Sequence, residues 1–194
     1  MASSFKLRAG AVTLVEFLTS FAIVGVIAVL VGGIYLAHFR LFSNQNTAID
    51  VSTQNKLALS EVSNTVRQSE SIVDTCPSCG SDTTGTTILI LRLWPQDATG
   101  EPIDPGTTNY DYILYKRNPG DTSKLIRITY AYSGSSRKNG TKVIATSMSN
   151  LAFAYDNGTP SAARQVTTSV TTTATTGTKT QTSTESDIAN LRNK

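Results

Sequence analysis

A single carboxylate, that of Glu16, lies at the edge of a long apolar run. Residues 17–37 read FLTSFAIVGVIAVLVGGIYLA and contain no charged side chain. A carboxylate at the edge of a membrane helix is costly unless it finds a partner. The chemistry open to Glu16 is therefore charge pairing, because a neighbouring cation removes the cost of both charges in a medium of low dielectric constant.

Cys76 and Cys79 form a C-x-x-C pair in the sequence CPSC. A redox site would require a thioredoxin-like setting of strands and helix, which this loop after a lone helix lacks. Structural zinc needs four ligands, and the chain offers no further cysteine and only His38. A local disulfide fits an extracytoplasmic loop best, with free thiols as the alternative. Its closed loop is short, so we expect it to stiffen the connection locally and to stabilise the whole fold little.

The sequence predicts no enzyme. His38 is the only histidine, so a Ser-His or Cys-His nucleophile would have no base. No glycine-rich phosphate loop is present. We therefore predict no catalytic residue, no metal site and no cofactor, and we expect His38 to lie at the membrane interface where the apolar run ends.

The apolar run predicts a helix that crosses a membrane. It is longer than the ~7–15 residues of a secretory signal core and close to the ~20 residues that span a bilayer. Lys6 and Arg8 precede it, and positive charge tends to stay on the cytoplasmic side. The N-terminus is thus expected inside the cell, and everything after Arg40 outside it.

The residues from Ala11 to Glu16, AVTLVE, follow a short basic leader. They resemble the start of the type IV pilin superfamily, in which a small residue precedes a cleavage site and F-T-L-I-E follows. Ala11 takes the place of the small residue, and a cut between Ala11 and Val12 makes Glu16 the fifth mature residue. The family usually has glycine before the cut. Gly10 lies one position too early, and a cut there would make Glu16 the sixth residue.

The resemblance implies the roles of several residues. A prepilin peptidase would cleave at Ala11 and Val12, and the new amino group of Val12 would be methylated. In a filament the Glu16 carboxylate of one subunit would approach the Val12 ammonium of a neighbour, with Leu14 and Glu16 as assembly residues. The implied partners are other pilin subunits, the peptidase, an inner-membrane assembly platform and the cytoplasmic membrane. The implied location is the bacterial cytoplasmic membrane and then an extracellular or periplasmic filament.

The predicted fold class is α+β, with a long N-terminal helix packed on an antiparallel β-sheet. After the membrane half, the apolar residues Leu59, Val62, Val66 and Val73 fall on one helical stripe, which predicts an amphipathic half. The predicted divisions are a leader at 1–11, a transmembrane and assembly helix at 12–39, an amphipathic helix half at 40–73, a cysteine-containing loop at 74–85, and a β-sheet domain with a threonine-rich C-terminal segment at 86–194.

Strand-like runs of β-branched and alternating apolar residues follow the cysteine loop. They cover residues 86–94, 110–116, 124–132, 143–145 and 151–155. The turn residues Asn118-Pro119-Gly120-Asp121 predict a hairpin between the second and third runs, and the series predicts a meandering antiparallel sheet on one helix face. Residues 165–187 are mostly threonine with little apolar anchoring. They predict either one or two edge strands or a disordered or sugar-decorated segment.

Two late features narrow the resemblance. The ending Leu191-Arg192-Asn193-Lys194 and the stretch LAFAYDNGTP at 151–160 are similar to W-type minor pilins and to J-type pseudopilins of type II secretion. The expected function is therefore that of a structural subunit of a type IV pilus-like filament. A plain signal-anchored extracytoplasmic protein is one alternative, because the same hydropathy would serve it.

A second alternative is a surface-exposed binding module, for extracellular DNA or for surface adhesion. The densest basic group includes Arg117, Arg127, Arg137 and Lys138, which are the candidate nucleic-acid contacts, and nearby tyrosines could stack on bases. The other interpretation is an ordinary solvated sheet face. Net charge does not favour DNA, since removal of the leader leaves 15 basic against 14 acidic residues.

Overall fold

The computed structural model describes residues 13–177 and 179–192. The chain divides into two compact units at the boundary between Ser43 and Asn44. One helix, α1 (Leu14–Gln68), contributes residues to both units. The predicted cleavage-site residues Ala11 and Val12 lie outside the described residues.

The first unit consists, in its described part, of α1 as far as Ser43. Leu, Ile, Val and Ala dominate this stretch, and the helix continues through Gly25, Gly32 and Gly33. Each glycine costs a helix about 1 kcal/mol relative to alanine. An apolar environment offsets such a cost, because backbone groups that have no water to bond to keep their helical hydrogen bonds.

The second unit contains the rest of α1, whose inward stripe is apolar. Val51, Ala58, Leu59, Val62 and Val66 are buried at helical spacing, as the amphipathic pattern predicts. The amphipathic half predicted at 40–73 ends earlier, because α1 stops at Gln68.

Ser69 closes the last turn of α1, since both its N–H and its hydroxyl donate to the Val66 carbonyl. The Glu70 N–H then donates to the Arg92 carbonyl at 2.9 Å, which transfers the chain from the helix to a sheet. A two-residue strand, β1 (Ser71–Ile72), follows. Val73, predicted on the helical stripe, therefore lies beyond the helix.

Within the described residues, eight strands make up two antiparallel sheets rather than the single sheet expected from sequence. After β1 they are β2 (Leu89–Leu93), β3 (Asp111–Asn118), β4 (Asp121–Tyr130), β5 (Gly140–Ala145), β6 (Met148–Tyr155), β7 (Gln165–Thr176) and β8 (Lys179–Asn190). One sheet has the order β1-β2-β3-β4-β5 and the other the order β6-β7-β8. A short 3-10 helix, Pro160–Ala162, precedes β7. Each strand pairs with its neighbour in the chain, so the meander is confirmed within each sheet.

The break between the sheets falls at Thr146 and Ser147. Ser147 adopts a φ of 60°, a left-handed conformation that redirects the chain. Strand β6 then pairs with β7 instead of β5. The Thr146 N–H donates to the Gln54 side chain of α1 at 3.1 Å, so the helix fixes the point where the chain changes sheets.

The predicted hairpin joins β3 to β4. The Gly120 N–H donates to the Asn118 side chain at 3.0 Å, which closes the Asn118–Asp121 turn. The register of the two strands places Tyr115 opposite Arg127. Tyr115 is buried on the face that meets α1.

The threonine-rich segment is ordered as a long hairpin. Strand β7 lies in the middle of its sheet and β8 at the edge, so the expectation of edge strands is met by β8 alone. Over residues 165–172, strand β7 alternates strictly, with Val166, Thr168, Val170 and Thr172 buried. Threonine therefore fills core positions here, and the Thr172 hydroxyl donates to the Val51 carbonyl of α1 at 2.9 Å.

The core of the second unit has two parts. The larger lies between α1 and the inner faces of both sheets and includes Leu91, Tyr115 and Phe153. The smaller lies on the outer face of the five-stranded sheet, where Cys76 and Cys79 pack on Ile90 and Leu114. The cysteine loop thus covers a sheet face in addition to connecting the helix with the sheet.

The alternation of β7 is tested by two adjacent substitutions. We expect Val170→Asp to lower the free energy of unfolding by at least about 3 kcal/mol, because the new charge is buried and lies opposite Glu185 of β8. Thr171→Asp, on the outer face, should change it by no more than about 1 kcal/mol. Urea unfolding of the full chain in detergent micelles measures both. Equal effects would show that β7 does not have this register.

Candidate functional site

The beginning of α1 is a reciprocal capping box formed by Thr13 and Glu16. The Thr13 N–H and hydroxyl donate to one Glu16 carboxylate oxygen at 2.9 and 3.0 Å. The Glu16 N–H donates to the Thr13 hydroxyl at 3.3 Å. Two backbone donors at the helix start are satisfied in this way. The S/T-x-x-E spacing that indicates this cap is visible in the sequence, whereas the prediction for Glu16 concerned its charge alone.

The predicted assembly residues share this helix start. Leu14 is the first residue of α1, and its side chain is exposed. The carboxylate of Glu16 points back along the chain to Thr13, the residue that follows Val12. The predicted contact between Glu16 and the Val12 amino group is one between subunits and stays a prediction, since Val12 lies outside the described residues.

The helix beyond Glu16 presents apolar side chains on all sides. Every large apolar residue from Leu14 to Leu36 is more than half exposed within the chain. Phe17 and Phe21 contact each other one turn apart. The Thr19 hydroxyl is satisfied locally, since it donates to the Val15 and Glu16 carbonyls at 3.0 and 3.1 Å. By its length and composition, α1 is long enough and apolar enough to cross a membrane.

Three of the four predicted nucleic-acid contacts meet at one cavity. Arg127, Arg137 and Lys138 line a space of about 280 Å³ beside the end of α1. Arg117 lies elsewhere, at the β3–β4 hairpin, where its Nε donates to the Thr122 carbonyl at 2.6 Å. The structure therefore gathers part of the basic group and leaves Arg117 apart.

The two arginines at that cavity already have acidic partners. Arg127 pairs with Glu61 of α1, and Arg137 pairs with Asp111 at 2.7 Å. Lys138 is exposed and has no acidic partner within the described part of the chain. Two of the three cations at this cavity are thus paired within the protein, while DNA binding depends on cations that neutralise phosphates.

Arg127 also belongs to a polar link between α1 and the sheet. The Tyr115 hydroxyl and the Thr65 hydroxyl are 2.7 Å apart, and Thr65 donates to the Glu61 carbonyl at 2.9 Å. Tyr115 is fully buried. Burial raises the pKa of Tyr115 above its ordinary value of 10.0, and the hydrogen bond with Thr65 opposes that shift.

Cys76 and Cys79 are joined by a disulfide, with their Cα atoms 5.1 Å apart. Around them, the Thr84 N–H donates to the Asp74 carbonyl at 2.9 Å, which closes the loop. Lys116 of β3 pairs with Asp82 of the loop. The disulfide is therefore one of several ties that hold this segment on the sheet. Residues 13–177 and 179–192 contain no group of three or more His, Cys, Asp or Glu side chains able to hold a metal ion.

Comparison with known proteins gives no relative. No protein-family model, no curated protein and no solved structure matches the chain. The architecture itself is α+β, with one long N-terminal helix and antiparallel sheets of five and three strands. It is consistent with the pilin fold.

The buried tyrosine gives a pH prediction. A raised pKa in the folded state means that the stabilisation by neutral Tyr115 is complete below pH ~10 and is lost as the pH rises further. Tyr115→Phe should cost about 1 kcal/mol at pH 7 through the lost hydrogen bond. Tyr115→Phe should also make the free energy of unfolding fall less steeply at alkaline pH. It should not abolish the fall, because burial raises the pKa of Tyr155 too.

Urea unfolding between pH 8 and 11.5 measures this decline. Tyr132→Phe is the matched control, because Tyr132 is partly exposed and its loss should leave the profile unchanged. If the free energy of unfolding of Tyr115→Phe runs parallel to that of the unmodified chain over this pH range, the raised pKa of Tyr115 is wrong.

Proposed function

We propose that this chain is a structural subunit, a minor pilin or pseudopilin, of a type IV pilus-like filament. The observation that carries the proposal is an apolar helix whose cap and first turn read Thr-Leu-Val-Glu. This helix is uncovered within the chain at first, and its later part is covered by antiparallel sheets. A helix that is apolar on all sides needs lipid or protein around it. The membrane would supply that cover before assembly and neighbouring helices after it.

The role of Glu16 in assembly rests on its charge. The capping box satisfies backbone donors at the helix start, but it brings no positive charge to the carboxylate. A lone charge among packed apolar helices is costly, and a neighbour's ammonium would remove that cost. The capping box orients the carboxylate toward the N-terminal end of the helix. That direction suits a partner at the start of another subunit.

The finer assignments follow the resemblance alone. A W-type minor pilin and a J-type pseudopilin both fit the N-terminal motif and the Leu-Arg-Asn ending. In either case we propose export with the N-terminus inside, cleavage by a prepilin peptidase between Ala11 and Val12, and methylation of Val12. DNA capture is less favoured than filament assembly, because Arg127 and Arg137 are already paired with carboxylates.

Processing is the first test. Intact mass and N-terminal sequencing of the protein from cells that contain a prepilin peptidase should give a mature chain that starts at Val12 and carries one extra methyl group. An uncut chain in such cells would contradict the proposal and leave a signal-anchored protein. Ala11→Gln is expected to block cleavage, because the small residue before the bond is lost.

The capping and pairing roles of Glu16 can be separated by two substitutions. Glu16→Gln keeps the capping box, in which glutamine also serves, and removes the charge. We expect it to lower filament yield at least about tenfold, because breaking a buried ion pair costs several kcal/mol. Thr13→Ala loosens the cap at a cost of about 1 kcal/mol and keeps the charge, so its filaments should persist.

The measurement is the amount of subunit in sheared filaments relative to the amount in the membrane. Glu101→Gln, an equal change of charge on an exposed loop, is the matched control and should assemble normally. If Glu16→Gln assembles as well as this control while Thr13→Ala does not, Glu16 acts only as a cap and the pairing proposal is wrong.

A further inference from the structure

A cleft in the second unit, separate from the helix start, contains the only tryptophan of the chain. It has a volume of about 460 Å³, within the usual size range of small-ligand sites. Its lining includes Gln68, Glu70, Trp94, Gln96, Arg137 and Arg192. The lining thus combines one large aromatic ring with amide and charged groups.

Trp94 is partly exposed at this cleft, with 40% of its surface accessible. It directly follows β2, whose last residue Leu93 is buried. Tryptophan usually buries most of its large ring. Its open indole offers a flat apolar face and one N–H donor to a ligand.

The backbone beside Trp94 is held by a fully buried carboxylate, that of Asp111. Asp111 accepts hydrogen bonds from the Tyr132 N–H at 2.8 Å, the Ser135 hydroxyl at 2.7 Å and the Arg137 guanidinium at 2.7 Å. Arg137 also donates to the Trp94 carbonyl. A buried carboxylate needs such partners, and here they fix the loop that forms one wall of the cleft.

Gln96, on the same wall, is fixed by its backbone. The Gln96 N–H donates to the Ser135 hydroxyl at 3.2 Å, and the Gln96 carbonyl accepts from the Ser136 N–H at 2.7 Å. Its main chain also bridges to Pro102. The amide side chain is therefore presented from a rigid support, which is the arrangement that gives a polar site its specificity.

Most of the charges at the cleft are already paired. Arg137 pairs with Asp111, and Glu70 pairs with Arg92 at 3.2 Å. Arg192 is exposed and has no acidic partner among residues 13–177 and 179–192. The cleft therefore offers an available guanidinium beside an open indole and two amides.

We propose that this cleft binds a saccharide that carries a carboxylate. The indole face suits the C–H face of a sugar ring, which is flat and apolar. The Gln68 and Gln96 amides both donate and accept, as ring hydroxyls require. The Arg192 guanidinium matches a carboxylate through paired N–H donors. The proposal is independent of filament assembly, since every lining residue belongs to the second unit.

Tryptophan fluorescence, excited selectively over tyrosine, tests the site directly, because Trp94 is the only tryptophan of the chain. The full chain in micelles of a zwitterionic detergent without a sugar headgroup is titrated with a hexasaccharide of alternating glucuronate and N-acetylglucosamine. A hexamer of N-acetylglucosamine alone is the neutral probe. We expect a saturable change with the acidic hexasaccharide and a weaker response to the neutral one.

Two matched substitutions locate the carboxylate contact. Arg192→Gln should weaken binding of the acidic probe about tenfold or more, as expected for a charge-assisted contact. Arg164→Gln, an equal change at an exposed position outside the cleft, should leave it unchanged. Calorimetry replaces fluorescence for Trp94→Ala, which should abolish binding, and for Trp94→Phe, which keeps an aromatic face and should retain part of it.

Several outcomes would overturn the proposal. They are the absence of a saturable change with either probe, equal binding of the acidic and neutral hexamers, and equal weakening by Arg192→Gln and Arg164→Gln. The last would indicate attraction by net charge instead of a site. Thermal unfolding by circular dichroism verifies that each variant is folded, so that a lost signal is a lost contact.

Discussion

The exposed apolar surface of the first part of α1 is the constraint on which the rest of the protein depends. From Leu14 to Leu36 no large apolar side chain is covered by the described chain, and such a surface is not stable in water. Further along, the same helix carries a one-sided stripe that the sheets cover. One continuous element thus meets two kinds of surroundings, and its composition changes accordingly. The side chains of the first unit are long and apolar enough as a series to cross a membrane, and those of the second unit pack in a folded core.

Polar contacts supplement the apolar core between α1 and the sheets. Along β8, side chains of α1 bond to Glu185, to the Ser183 carbonyl and to Asp187. These hydrogen bonds satisfy polar groups that would be costly to bury unpaired. They also fix the position of β8 along α1, which apolar contacts alone would fix less strictly. A serine- and threonine-rich hairpin with few apolar residues can therefore pack firmly against a helix.

The parts of the fold that depend on local spacing were predictable from sequence. The period of the apolar residues predicts the helix and the strands of the meander, and the turn residues predict the β3–β4 hairpin. The division into two sheets depends on Ser147 and on the distant contact between Thr146 and Gln54, which no local pattern records. Residues 165–187 were ambiguous because threonine at a buried position has the same sequence signature as threonine in solvent. At the helix start, the apolar surroundings of Glu16 indicate a charge that needs a partner, whereas its capping of Thr13 follows from the S/T-x-x-E spacing.

The cleft was missed for a related reason. Trp94 reads in sequence as the apolar end of a strand, and Arg137 as one member of a basic group. Only the fold brings Asp111, at the beginning of β3, next to Arg137 in the loop after β4, and their pairing converts an apparent nucleic-acid contact into a support for the Trp94 backbone. Once that arginine is neutralised, Arg192 is the cation left available at the cleft among the described residues. The chemistry of this surface thus depends less on the number of basic residues than on which of them the fold has already paired.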